Sequence, residues 1–188
     1  VMNTDVVVAV SDAATDALNL LFSDDCGRAY LTHRRKLDPA LVRCFDDVGI
    51  SGLANIVAAI KLAKHFDYGP DDVVMTVATD SAAMYHSERQ AYRARKYPAG
   101  FDEINAGEIF GRHIEGIADD HLLELTHVDR SRIFNLGYYT WVEQQGVSVE
   151  AFELRRKQQF WQELADSIPQ WDRQIADFNA EIGRNTPP

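Results

Sequence analysis

Blocks of hydrophobic residues divide the first half of the chain into predicted elements. Residues 5–10 read Asp-Val-Val-Val-Ala-Val, a β-branched run that is typical of a strand covered on both faces in a parallel sheet. Ser11 is a suitable N-cap for a following helix, and Asp12 lies where the helix dipole favours negative charge. A strand followed by a helix at this spacing is half of a βαβ unit.

Two further helices are predicted before residue 70. Asp38-Pro39 starts a short one, with proline at the first helical position. Gly49-Ile50-Ser51-Gly52 is a glycine-bracketed turn that leads into residues 53–63. Because residues 53–63 are apolar on nearly every side, we expect a buried helix there.

A second strand is predicted at residues 73–78, which read Val-Val-Met-Thr-Val-Ala. Small and polar residues follow it, beginning with Thr79-Asp80-Ser81. Ligands of open α/β sheets bind outside the carboxyl ends of the strands. The residues after this run are therefore the predicted ligand-binding or catalytic site.

The second half of the chain predicts helices and no convincing strand after Met84. Residues 131–145 form an amphipathic pattern that Gly146 ends, and Ser148 can cap the next helix. Aromatic residues mark that helix and a further one, namely Phe152, Phe160, Trp161, Trp171 and Phe178. The sequence thus predicts an α/β part, residues 1–90, and a helical extension, residues 91–188, with a frayed tail at 185–188.

The net charge and the lengths of the apolar runs limit the classes of partner that this protein can bind. Among 188 residues, 29 Asp and Glu outnumber 19 Lys and Arg, giving a formal net charge of -10. Such a surface repels nucleic acid and anionic lipid, so neither is an expected partner. No apolar run approaches the roughly 20 residues that span a bilayer, and the first residues lack a signal-peptide pattern. A cytoplasmic location is therefore expected.

The cysteines and histidines indicate no metal site. Cys26 and Cys44 form no C-x-x-C pair, which is typical of reduced, partly buried thiols in a reducing compartment. The six histidines show no metal-ligand spacing. No metal is expected.

Three segments resemble one enzyme family. Residues 49–62 are similar to the glycine-isoleucine-serine turn and helix of pyridoxal-phosphate enzymes of the cysteine synthase and threonine synthase type, fold type II. Residues 5–21 resemble the strand and helix before that turn, and residues 74–81 resemble a later strand. The likeness is greatest to longer β-subunit-like members, in which Thr-Asp-Gly-Ala-Ala-Met-Tyr follows the strand; here Ser81 replaces the glycine.

The resemblance implies a fold and a cofactor site. The first part would be the carboxy-terminal remainder of the family's large domain, a parallel sheet with flanking helices, followed by the helical extension. Thr79 would face the ring nitrogen of pyridoxal phosphate with Asp80 beside it, and Gly49, Ile50 and Ser51 would form a backbone wall. Lys61 corresponds to a structural residue, whose ammonium is expected to reach solvent.

Both groups of residues also have purely structural interpretations. Thr79-Asp80 could be a helix N-cap after a strand, with Asp80 bonding free backbone N–H groups. Gly49, Ile50 and Ser51 could be a tight strand-to-helix turn in which Ser51 caps the helix.

The family's Schiff-base lysine and its glycine-rich phosphate loop have no counterpart in this sequence. The resemblance therefore implies an upstream polypeptide that carries the lysine, and a homodimer of the complete enzyme. The implied reaction is β-elimination or β-replacement on an amino acid such as serine, O-acetylserine, cysteine or threonine. A non-catalytic regulatory or interaction subunit is the alternative. A nucleotide-binding α/β domain is disfavoured, because neither predicted strand precedes a phosphate-loop glycine pattern.

Overall fold

The protein is mainly helical and has two compact units. The computed structural model describes residues 2 and 4–183. The N-terminal unit comprises Val6–Glu124, and the C-terminal unit comprises the residues before Val6 and those from Leu125 onward. The structure thus divides after Glu124, whereas the sequence places a boundary at residue 90.

The N-terminal unit is built around a central helix, α1 (Asp12–Ser23), whose start is set by a local N-cap. Its elements are β1 (Val6–Val8), α1 (Asp12–Ser23), α2 (Asp25–His33), α3 (Pro39–Cys44), α4 (Ile50–His65), α5 (His86–Lys96), α6 (Glu103–Phe110) and β2 (Leu122–Glu124). The Ser11 hydroxyl accepts a hydrogen bond from the Ala14 N–H at 3.3 Å, which confirms the predicted cap. Leu18 and Leu21 are fully buried, and α1 packs against α2, α4, α5 and α6. Helix α1 therefore supplies more buried residues to the hydrophobic core than any other element.

Helix α3 has the predicted start, whereas α2 was missed. The Asp38 carboxylate accepts from the Ala40 N–H at 2.7 Å, with Pro39 as the first helical residue. Helix α2 is capped by Asp24, and only Gly27 and Leu31 of its residues are buried. Because one buried leucine gives almost no hydrophobic periodicity, the sequence pattern alone does not reveal this helix.

The described residues form an antiparallel pair of strands, so the expected parallel sheet is not what they show. Strand β1 pairs with β2, and Val6 lies opposite Glu124. The prediction of no strand after Met84 was therefore wrong. With three residues, β2 is too short for an alternating pattern to be recognised.

The strand predicted at residues 73–78 is also wrong for this structure. The segment forms no ladder, and Val73, Met75 and Val77 are 85%, 91% and 67% exposed. A strand requires a neighbouring backbone to satisfy its N–H and C=O groups, and none of the described residues supplies one here.

Helix α4 begins at Ile50, so the predicted glycine-bracketed turn forms its first turn instead of preceding it. It is fully buried along one face only, at Gly52, Leu53, Val57 and Lys61, and not all round as expected. Other positions are half-buried or exposed.

The C-terminal unit is a series of helices that agrees broadly with the sequence pattern. They are α7 (His127–Tyr138), which continues as a π-helical turn (Tyr139–Gln144), α8 (Val149–Leu154), α9 (Gln158–Asp166) and α10 (Ile168–Glu181). Gly146 has a φ of 69°, a conformation suited to glycine after a helix. Ser148 caps α8 as predicted, through the Ala151 N–H at 3.1 Å. The predicted frayed tail, 185–188, lies outside the described residues, and no described helix is long and apolar enough to cross a membrane.

Candidate functional site

The start of helix α4 brings together residues from two distant segments. The Gly49 N–H donates to the Asp80 carbonyl oxygen at 2.7 Å. This bond places Thr79 and Asp80 beside Gly49 and the first turn of α4, which contains Ser51. Four of the five predicted site residues thus form one cluster, and Ile50 is the half-buried first residue of α4 between two of them.

The Asp80 carboxylate is the centre of the cluster. One oxygen, Oδ1, accepts from the Thr79 hydroxyl at 3.2 Å, and the other, Oδ2, accepts from the Tyr85 phenol. A Cβ at Gly49 would overlap this carboxylate, so only glycine allows the close approach. A negative group beside the first turn of α4 is favoured by the helix dipole.

Tyr85 is a member of the site that was not predicted as a site residue. Its phenol donates to Asp80, and this hydrogen bond, together with burial, raises the pKa of Tyr85. A hydrogen bond with Ser51 opposes the shift. Tyr85 reaches Asp80 because residues 82–85 form a 3₁₀ turn. The only available signal was its position in the Thr79–Tyr85 segment, where the family resemblance already lay.

Neither capping interpretation describes these residues. Ser81 caps the 3₁₀ turn by accepting from the Ala83 N–H at 3.1 Å, whereas Asp80 accepts from side chains. Gly49 is the N-cap residue of α4, and no side-chain cap is formed, so Ser51 does not cap the helix. Ser81 has φ −99° and ψ 151°, which shows that serine in place of the family's glycine strains nothing here.

The exposed segment at residues 73–78 leads directly into Thr79 of the cluster. Asn55 of α4 donates from Nδ2 to the Val77 carbonyl oxygen at 3.1 Å, which anchors the segment near the helix. Thr79 itself is exposed, whereas Asp80 is half-buried. The cluster therefore combines an exposed threonine with a half-buried carboxylate.

The donors of this cluster match one end of pyridoxal phosphate only. A hydroxyl beside a half-buried carboxylate is a suitable partner for the ring nitrogen. Across the described part of the chain, no ion pair involves Asp80. The residues thus fit the ring-nitrogen end of the cofactor and offer no cation for its phosphate.

The environment of Lys61 differs from the solvent-exposed one expected from the sequence. Its side chain is buried, with the residue 4% exposed, and its ammonium does not reach solvent. Nζ donates to the Ala9 carbonyl oxygen and to Asp120 Oδ1, both at 3.0 Å. A buried ammonium requires such partners, because an unpaired charge in the interior is strongly unfavourable.

No protein-family model, curated protein or solved structure matches this chain. The family resemblance noted in the sequence stays a prediction.

Proposed function

We propose that this chain is the carboxy-terminal part of a pyridoxal-phosphate-dependent lyase or synthase of fold type II. Its reaction would be β-elimination or β-replacement on an amino acid such as serine, O-acetylserine, cysteine or threonine. The observation that supports the proposal most is the meeting of Gly49 and Ser51 with Thr79 and Asp80. These residues lie about 30 positions apart in the sequence and were selected by resemblance alone.

Pyridoxal phosphate, when bound, supplies an electron sink for the electron pair left on the α-carbon of the amino-acid substrate. The role of this chain would be to orient the group at its ring nitrogen. Thr79 Oγ1 would make that contact, because Thr79 is exposed and its hydroxyl lies beside the Asp80 carboxylate. Asp80 would hold Thr79 in place, since each of its oxygens already accepts a hydrogen bond.

The position of the Thr79 proton decides what the hydroxyl can do. A hydroxyl has one hydrogen to donate and two lone pairs to accept with. While Thr79 donates to Asp80, its oxygen can only accept, which favours a protonated ring nitrogen. If the hydrogen turns outward, Thr79 donates, and an unprotonated ring is favoured. Tyr85 influences this choice, because its own hydrogen bond reduces the negative charge available on Asp80.

The missing lysine would be supplied by an upstream polypeptide, and the complete enzyme would be a homodimer. The unpaired segment at residues 73–78 is consistent with this, since its backbone and apolar side chains have no partner strand among the described residues. The parallel sheet expected from the resemblance would then form only in that assembly.

Ring recognition can be tested on this chain alone with pyridoxine 5′-phosphate, which lacks the aldehyde and cannot form adducts with surface lysines. Titration followed by two-dimensional NMR is expected to shift the amides of Gly49, Ser51, Thr79 and Asp80. Thr79→Ala should weaken binding, whereas Thr76→Ala, on the same exposed segment, should not. Absence of shifts at these amides, or equal effects of the two variants, would contradict the proposed site.

A second candidate function is that of a non-catalytic interaction subunit. It is favoured by helices α9 and α10, which contain no buried residue and expose Trp161, Trp171 and Phe178 by 38%, 43% and 58%. Borohydride trapping of the purified protein with pyridoxal phosphate separates the two functions. A trapped cofactor on a co-purifying, lysine-bearing polypeptide supports catalysis, and co-purification without trapped cofactor supports the interaction role.

A further inference from the structure

A cavity of about 510 Å³ lies in the N-terminal unit, at the end of helix α4 opposite the Asp80 cluster. It is open on one side and is lined by the chain between β1 and α1, by α4, and by the π-helical turn (Gly111–Glu115) that continues α6 together with the residues after it. Its polar lining residues are Ser11, Lys61, Arg112, His113, Asp120 and His121. Lys61 is 11 residues beyond Ile50, roughly 16 Å along the helix axis, so this cavity is separate from the Asp80 cluster.

The buried ammonium of Lys61 forms one wall of the cavity. An ammonium has three N–H donors, and Lys61 uses one for the Ala9 carbonyl oxygen and one for Asp120. Asp120 balances its charge but is itself mostly exposed, with a side chain 60% accessible. The third donor has no partner among the described residues, although the lysine is 96% buried.

Arg112 and His113, from the π-helical turn, add further polar groups to the lining. Arg112 forms no ion pair within the described part of the chain, so its guanidinium is available to a ligand. The pKa of His113 is lowered by burial and then by the charge of Arg112. The Gly116 N–H donates to the Gly111 carbonyl oxygen at 2.7 Å and closes the π-helical turn, a distortion frequent at functional sites.

The amino terminus of helix α1 also lines the cavity. Ser11 and Ala14 both contribute to the lining, and the Ser11 hydroxyl accepts from the Ala14 N–H. Free N–H groups and the positive end of the helix dipole favour an anion at such a position. Asp12, in the same turn, does not line the cavity.

We propose that this cavity binds the phosphate group of a small molecule, with Arg112 and Lys61 as its cationic contacts and the start of α1 as a further source of N–H donors. Donors from three directions suit the several oxygens of a phosphate better than a single carboxylate. The volume lies in the range of small-molecule pockets and is larger than a bare ion needs. The inference does not depend on the proposed catalytic function.

Inorganic phosphate is the probe for a direct test by isothermal titration calorimetry on the full chain. We expect saturable binding that weakens about tenfold in Arg112→Gln, since a charge-assisted hydrogen bond is lost. Arg43→Gln is the matched control, because Arg43 is exposed in the same unit and lines no part of the cavity. The ring signals of His113 should shift during the titration, which locates the bound ion.

Three outcomes would overturn the proposal: no saturable binding, equal weakening in Arg112→Gln and Arg43→Gln, or acetate binding as tightly as phosphate. Asp80→Asn should leave phosphate binding unchanged, because Asp80 lies at the other end of α4. A loss of phosphate binding in Asp80→Asn would contradict a separate site. The cavity proposal and the cofactor proposal can therefore fail independently.

Discussion

Two apolar runs in the N-terminal unit have similar sequences and different structures. Val6–Val8 is a strand paired with Leu122–Glu124, whereas residues 73–78 have no regular secondary structure, are exposed and pair with no other strand of the described residues. Helix α4 contacts both of them, the first through its carboxyl-terminal half and the second through its amino-terminal half. The difference between the runs therefore does not come from β propensity.

The difference lies in what holds a partner strand in place. Near the end of α4, Lys61 binds Asp120, and Lys64 donates to the carbonyl oxygens of Glu115 and Ile117 at 2.9 and 2.7 Å. These bonds fix the segment that continues into β2. In the first half of α4, Asn55 bonds the run itself at Val77 and Gly49 bonds Asp80 just after it, and none of the described residues supplies a neighbouring strand. A β-branched run thus becomes a strand only where the fold provides a second backbone.

The largest expected effect concerns Lys61. Lys61→Met keeps much of the packed aliphatic volume but removes both hydrogen bonds, so we expect a loss of about 2 kcal/mol in the free energy of unfolding. Lys64→Met is the matched control, and because Lys64 is exposed its loss should stay below about 1 kcal/mol. Urea denaturation measures both. Equal losses would show that burial of the Lys61 ammonium has no special importance for β1 and β2.

A smaller effect is expected from weakening each apolar run directly. Val8→Ser removes a half-buried β-branched side chain from a paired strand, which should cost about 1 kcal/mol. Val77→Ser, at a 67% exposed position, should change the stability by less than about 0.5 kcal/mol. Thermal unfolding of the two variants compares the runs. A larger loss for Val77→Ser would mean that residues 73–78 are paired in solution.

The smallest expected effect is a pH dependence at the carboxyl-terminal end of α4. Hydrogen bonds with Glu124 and then Asp119 raise the pKa of His65. The stabilisation is complete below the ordinary histidine pKa of about 6.5. It is lost as the pH rises through the raised pKa that His65 has in the folded protein. His65→Gln should therefore lower Tm more at about pH 5.5 than at about pH 9.

The matched control for this pH effect is His33→Gln, since His33 is exposed and forms no described ion pair. Its substitution should change Tm by a similar, small amount at both pH values. A Tm difference for His65→Gln that is independent of pH, or larger at alkaline pH, would contradict the role of Glu124 and Asp119.

Most members of the candidate site were selected from the sequence, but one member and the contacts within the site were not. Resemblance selected Gly49, Ser51, Thr79 and Asp80, and the structure brings them together. Tyr85 was missed, because a hydrogen bond to a residue five positions earlier depends on the 3₁₀ turn between them. The cavity beside Lys61 was missed for a related reason, since its lining comes from three separate segments of the chain.

What the sequence by itself determined is local. The Ser11, Asp38 and Ser148 caps, the start of α3 at Pro39 and the helix end before Gly146 follow from side-chain and backbone chemistry within a few residues. Only the tertiary structure decided which apolar run is a strand, that β1 pairs antiparallel with a three-residue strand over 110 positions away, and that Lys61 is buried. Each of these depends on a partner distant in sequence, because backbone pairing and charge burial are stable only when the second group is already in place.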